Sequence, residues 1–277
     1  MNEAPAPTIG YTAARALLAP LADLVARAGA AVLAVSRDAM HVQGKADGSP
    51  VTDADLAADR VIARGLAAIA PQVPVLSEER AHLTARPSRG SFFIVDPLDG
   101  TREFVAGRDE FTVNIALITD GEPLLGVVGA PALGLIWRGL VGDGAERLAV
   151  APDGRLQRPV PIRTRRHPAP GEPWIATVSR SHGDPRTDAF IAARPGAVRQ
   201  PLGSAVKFCR VAEGGADVYP RLAPTSEWDV AAGHAVLTAA GGKVTDGKGG
   251  ALRFGEARDG FLVPQFIAWG DPAAATQ

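Results

Sequence analysis

Three acidic clusters stand where regular structure begins or ends. Glu78 and Glu79 close the stretch "VPVLSEE", and Asp96 and Asp99 close "FFIVDPLDG", with Thr101 just beyond. Asp229 follows Trp228 at the head of "EWDVAAGHAVLTAAGG". A strand holds its last residue rigidly, and a loop beyond it can turn a second carboxylate toward the same point. Pro97 fixes φ there and Gly100 permits a sharp turn. Carboxylates gathered at one point repel one another at neutral pH, so they need protons or a cation. An oxygen-only donor set suits a hard cation such as Mg²⁺, which is bound by few carboxylates together with substrate phosphate. No His/Cys pattern has zinc spacing. Each segment alone also reads as a turn or a helix cap. Their occurrence together, in this order, favours chemistry.

The elements that must position these groups follow from periodicity. Residues 11–36 read as a helix with a possible kink at Pro20. The loop "GKADGSPVTDAD" feeds a second helix, capped by Thr52 or Asp53 and running to about Ala70. "VPVL", "SFFIVD", "FTVNIALIT", "LLGVVGAP" and "LGLIWRGLVG" read as strands, so 87–140 is largely antiparallel sheet. Residues 151–173, rich in Pro and Arg, mark a boundary. Beyond them come the strand "WIATVS", helices at "DPRTDAFIAA", "SAVKFCRVAEGG" and "EWDVAAGHAVLTAA", the strand "ADVYP" and a hairpin at "GKVTDGKGGALRF". The expected fold class is a layered α/β sandwich. Residues 1–150 would form an α+β subdomain bearing most of the acids, and 151–277 an α/β subdomain that selects the substrate.

Composition excludes several classes. The 277 residues are 46% hydrophobic and 21% charged, ordinary for a chain that buries a real core. Lys plus Arg is 29 and Asp plus Glu is 30, a net charge of −1, which gives no footprint for nucleic acid or an anionic membrane. The lone Cys209 rules out an intrachain disulfide and reads as core. No signal-peptide pattern opens the chain, and the apolar stretch near the start is broken by Pro20, Asp23 and Arg27. A cytoplasmic protein with no integral membrane segment is expected, in peripheral contact with the inner membrane at most. No pattern assigns an oligomeric state.

With no global positive charge, an anionic substrate needs local cations. Ser204 opens a helix after a glycine, Lys207 lies one turn into it, and Tyr219 and Arg221 alternate onto one face of a strand. An amine and a guanidinium at one site suit a second phosphate.

Taken together, "SPVTDAD", "LSEE", "VDPLDGTREF" and "EWDVAAGHAVLTAAGG" resemble the lithium-sensitive, magnesium-dependent phosphatases of the inositol monophosphatase type, whose fold is an αβαβα sandwich. "EFTVNIALI", "SRSH" and "GSAVKFCRVAEGGADVYPR" are similar to its bisphosphate-nucleotidase branch. The resemblance implies two or three Mg²⁺ ions. Glu78 would be shared by two of them, Asp96 would bridge metals while the Leu98 carbonyl completes one shell, and Asp99 and Asp229 would hold the second. It places Asp53 and Thr101 on the attacking water, Glu79 behind the ligands, and the Gly100 and Thr101 amides on the phosphate. His182, Ser204, Lys207, Tyr219, Arg221 and Asp229 would face the substrate. The implied reaction removes the 3'-phosphate of adenosine 3',5'-bisphosphate, a by-product of sulfonate transfer, giving AMP and phosphate by metal-activated water. The same motifs allow an inositol or sugar phosphate as substrate, or a metal-loaded nucleotide sensor without turnover. The basic set at 207–221 argues against the first, and the full acid set against the second.

Overall fold

A computed structural model describes residues 7–37, 40–44, 50–83, 90–181, 183–194, 196–255 and 259–276. Its helices are α1 (Tyr11–Leu33), α2 (Asp53–Ile69), α3 (Thr101–Val105), α4 (Pro185–Ala192), α5 (Val206–Ala212) and α6 (Glu227–Ala239). A short β1 (Val42–Gly44) pairs with β2 (Pro50–Thr52) just ahead of α2. The first large sheet comprises β3 (Val75–Ser77), β4 (Ser91–Asp99), β5 (Thr112–Thr119), β6 (Glu122–Ala130), β7 (Leu135–Leu140), β8 (Gly144–Ala149) and β9 (Val160–Ile162). These strands neighbour one another in chain order, antiparallel except for the β3–β4 pair. The second contains β10 (Ile175–Ser179), β11 (Val198–Leu202), β12 (Val218–Arg221), β14 (Lys243–Thr245) and β16 (Phe266–Trp269), in the order β11-β10-β12-β16-β14. A two-residue pair joins β13 (Thr225–Ser226) to β15 (Leu262–Val263).

Five layers result. α1 and α2 cover one face of the first sheet, α5 and α6 fill the space between the sheets, and α4 packs on the outer side of the second. This is the αβαβα sandwich. β4 is buried along nearly its whole length because both faces of its sheet are covered, which explains its unbroken apolar run. Glycines let α6 approach closely: a Cβ on Gly126 would lie 2.3 Å from the Ala232 carbonyl oxygen.

α1 is long and apolar enough, by length and composition, to cross a membrane. Here it buries Leu21, Leu24, Val25, Ala28 and Val32 against α2 and the sheet, and it runs unbroken through Pro20. Two details differ from expectation. β9 still belongs to the first sheet, so that sheet extends past residue 150. The stretch 243–254 is no hairpin: Asp246 N–H bonds the Gly250 carbonyl at 2.8 Å, but β14 pairs with β16 instead. The local turn chemistry was right; an apolar partner from later in the chain won the pairing.

Candidate active site

β4 ends in an irregularity. Asp96 faces Asn114 on β5 and Asp99 faces Thr112, so three steps on one strand match two on the other. The bulge twists the strand end and brings both carboxylates to one side. The Asp96 carboxylate accepts the Leu98 amide at 3.0 Å, which tightens the turn. Gly100 then adopts φ of 91°, a left-handed conformation that L side chains rarely take. A Cβ there would lie 3.3 Å from the Glu110 carbonyl oxygen. The turn delivers Thr101 to the start of α3, where its hydroxyl reaches Asp55 Oδ1 at 3.0 Å and the Leu98 carbonyl at 3.1 Å.

Asp55 is fixed from the other side. Thr52 caps α2 and donates to Asp55 Oδ2 through its amide at 2.8 Å and its hydroxyl at 2.6 Å. This capping box locks the carboxylate in place at a helix start. Burial raises the pKa of the Asp55 carboxyl, and the hydrogen bonds from Thr52 and Thr101 partly offset that.

α6 brings the third acid. Asp229 accepts from the Thr225 hydroxyl and the Ser226 amide in a second capping box. Asp96, Asp99 and Asp229 offer carboxylate oxygens that all lie within 4.8 Å of one another. Burial, then repulsion from Glu78, Asp99 and Asp229, drives the Asp96 carboxyl well above the ordinary range. Burial and Asp229 push Asp99 up to about 7, against Lys207 and the Ala205 amide, which pull it down. Such frustration fits a divalent cation: the donors are all oxygens, Asp96 and Asp99 lie on one strand, and the mutual repulsion falls when positive charge sits between them.

The acids share a cavity of about 220 Å³ with Ser204, Lys207, Tyr219 and Arg221. Lys207 is buried, with Nζ 2.6 Å from the Ser204 carbonyl and 5.2 Å from the Tyr219 ring. Burial depresses its ammonium to about 8, although the Asp99 charge favours the protonated form. Tyr219 is wedged edge-on against Phe208 and Phe266. Arg221 donates to the Pro224 carbonyl at 3.3 Å, while its buried Nε has no hydrogen-bond partner. The Ser204 hydroxyl is likewise buried without a partner. Two unpaired buried polar groups lining one cavity are costly unless a polar ligand meets them.

The description "Inositol monophosphatase family" matches residues 14–276. The chain belongs to the inositol monophosphatase family. It is 41% identical over 253 residues to the 3'(2'),5'-bisphosphate nucleotidase CysQ of Escherichia coli K12, covering 90% of this chain and 98% of that protein. It is 35% identical to CysQ of Buchnera aphidicola over 92% of this chain and 94% of that one. Among solved structures, CysQ from Bacteroides thetaiotaomicron is similar, with a TM-score of 0.72 and 32% identity over 92% of this chain and 97% of that one.

Against this family's layout, most of the expected residues converge. Glu78, Asp96, Leu98, Asp99, Gly100, Thr101 and Asp229 line the same cavity as Ser204, Lys207, Tyr219 and Arg221. Glu79 follows Glu78 on a short 3-10 turn and is not among the described lining residues. His182 lies outside the described residues. The pairing of Asp53 with Thr101 is not what the structure has. Asp53 turns away to His41, accepting its amide at 2.9 Å and facing its ring Nδ1 at 3.2 Å, while Asp55 stands on Thr101. The signal for Asp55 was in the sequence: Thr52 and Asp55 have the three-residue spacing of a capping box, whose acid must point back over the helix start. Arg102, Glu103, Ser179 and Trp228 also line the cavity and carried no individual sequence signal.

Proposed function

We propose that this chain is a Mg²⁺-dependent 3'(2'),5'-bisphosphate nucleotidase that converts adenosine 3',5'-bisphosphate to AMP and phosphate. The observation that carries the reading is one cavity lined by both a carboxylate cluster and a pair of cations. Asp96, Asp99 and Asp229 crowd together, and buried Lys207 and half-buried Arg221 line the same cavity. A monophosphate needs only the acidic side with its cations. A bisphosphate needs both sides, because the second phosphate requires its own positive charge. The names of the similar proteins agree with this division.

Glu78, Asp96, the Leu98 carbonyl, Asp99 and Asp229 would hold the ions. When bound, Mg²⁺ supplies charge neutralisation for the phosphoryl oxygens and the leaving oxygen, and makes a nearby water more acidic. The chain does the rest. The Thr101 hydroxyl hydrogen is committed to Asp55 and Leu98, so its lone pairs are left to accept from a water in the cavity. Asp55, whose carboxyl pKa is raised by burial, takes the proton passed through Thr101. The water oxygen bonds to phosphorus, the bond to the 3'-oxygen breaks, that oxygen takes a proton from solvent water, and Asp55 returns its proton to solvent. Gly100, with no side chain, lets the backbone at the turn approach the phosphate. Ser204, Lys207 and Arg221 hold the second phosphate, and the arginine fork can offer two parallel hydrogen bonds.

The test is phosphate release by the purified chain with Mg²⁺, using adenosine 3',5'-bisphosphate, inositol 1-phosphate and fructose 1,6-bisphosphate. Preference for the nucleotide is expected. Preference for either of the other two would replace the reading, and binding without turnover would make the protein a sensor.

A further inference from the structure

Asp96 and Asp99 come from the first half of the chain and Lys207 and Arg221 from the second, so their separation must be fixed by contacts between the halves. One is direct: the Ala205 amide donates to Asp99 at 2.7 Å. The others lie away from the acids. Glu103 and Glu110 sit on the segment that follows β4, and they meet consecutive residues just after β10. Ser181 donates its hydroxyl to Glu103. Arg180 engages both oxygens of Glu110, with Nη2 at 2.8 Å from Oε1 and Nε at 3.0 Å from Oε2. The same Nη2 reaches the Pro201 carbonyl at 2.9 Å. Glu110 Oε2 also accepts the Gly203 amide at 2.9 Å. Gly203 is pressed so close that a Cβ would lie 2.3 Å from the Glu110 carbonyl oxygen. The next residue, Ser204, has φ of 44°, unusual for a residue with a side chain, and its carbonyl carries the Lys207 ammonium.

We propose that Glu110 and Arg180 form a latch that positions the Gly203–Ser204 turn, and through it Ser204 and Lys207, for the second phosphate of the nucleotide. They are positioning residues: neither is among the residues lining the cavity. The proposal rests on the nucleotidase reading. Its physical basis is that Glu110 takes donors from two separate segments, the Arg180 guanidinium and the Gly203 amide, while the same guanidinium also donates to the Pro201 carbonyl. A bidentate guanidinium–carboxylate pair fixes direction as well as distance. The pair is partly exposed, with side-chain exposures of 36% and 21%, so its contribution to global stability is small. Geometry is what it supplies. Burial alone would raise the Glu110 carboxyl pKa, but the bonds from Arg180 and Gly203 outweigh it and hold the group below its ordinary value.

The test compares Glu110→Ala, Glu110→Gln, Arg180→Ala, Arg180→Lys and the double alanine variant. Glu110→Ala should raise KM for adenosine 3',5'-bisphosphate by about tenfold, the loss of one charge-assisted contact, with kcat and Mg²⁺ dependence unchanged. Glu110→Gln, which keeps an acceptor for Gly203, and Arg180→Lys, which keeps the charge, should fall between wild type and their alanine counterparts. The double variant should be no worse than Glu110→Ala, because one device is removed once. A readout independent of turnover is amide exchange in the peptide spanning 199–208. It should speed up in Glu110→Ala while peptides from α6 and β5 stay protected. Unchanged exchange at 199–208, additive losses, or an equal fall in kcat would each overturn the latch. If wild type leaves the bisphosphate untouched, the nucleotidase reading fails, and the exchange result still decides whether the latch holds the turn.

Discussion

The acidic side of the cavity and its basic side are built on opposite terms. The acidic side is electrostatically overloaded but geometrically relaxed. Its carboxylates rest on a strand end and on helix starts, each held by backbone amides or neighbouring hydroxyls, and their conflict is with one another. The basic side has the reverse character. Its charges are few: Lys207 is buried and pushed down to about 8, Arg221 is half-buried, and the Ser204 hydroxyl and Arg221 Nε have no partner. Its backbone is strained at Ser204. The first side awaits a cation that would relieve repulsion. An anion would satisfy the unpaired buried donors of the second. On the proposed reading, the acidic cluster sets how fast a phosphate ester is cut, and the cations set which one.

The sharpest way to break this division is on the acidic side. Asp96→Asn and Asp99→Asn each keep the shape and remove a charge, and should lower kcat by about a thousandfold or more while the fold survives. Far-ultraviolet circular dichroism together with phosphate release checks both halves of that statement. Near-normal rates at saturating Mg²⁺ would remove these residues from the reaction.

Next in size is the choice between the two aspartates of the "TDAD" loop. Asp55→Asn should cost about a hundredfold or more in kcat, the scale of general base catalysis, because it breaks the link to Thr101. Asp53→Asn should cost less than about threefold, the scale expected of a partly exposed side chain that bonds His41 and not Thr101. A reversal of the two would restore the pairing suggested by the resemblance.

The basic side should respond more weakly and more selectively. Arg221→Ala and Lys207→Ala should lower kcat/KM for adenosine 3',5'-bisphosphate by about ten- to a hundredfold, from charge-assisted bonds of roughly 1.5–3 kcal/mol each. A small monophosphate ester, measured in parallel, should hardly change. Equal losses on both substrates would mean the cations support the acidic side and not the choice of substrate.

The smallest effect is thermodynamic. Asp99 has its folded-state pKa raised, from an ordinary 3.8 to about 7. A raised carboxyl favours the metal-free fold below the ordinary value, and that contribution is lost as pH rises through about 7. A bound cation removes the penalty. The gain in melting temperature on adding Mg²⁺ should therefore grow between about pH 5 and pH 7 and level off above it. Thermal melts at several pH values check this, and a gain that shrinks with pH would contradict the cluster's role.

Much of the acidic side was legible in the chain itself. Asp96, Asp99 and Gly100 are consecutive features of one strand end, and their geometry is written in local terms: a proline, a glycine, and an apolar run that must be buried. The four-residue spacing between Thr225 and Asp229 and the capping box at Thr52 are equally local. The fold class followed from the order of strands and helices. The missed assignment of Asp55 was a misreading of a local signal that was present. Other features depend on pairs far apart in sequence. No local pattern says that Glu110 meets Arg180 across 70 residues, or that the Ala205 amide lands on Asp99 across 106. Lys207 in isolation looks like a solvated helix residue, yet it is buried, because α5 is packed between two sheets. The pairing of β14 with β16, in place of a hairpin, has the same origin. Sequence determined the chemistry of each group and the turns that present it. Only tertiary packing decided which groups share a cavity and how deeply they are buried, because burial and long-range approach are properties of the whole fold and are encoded in no single segment.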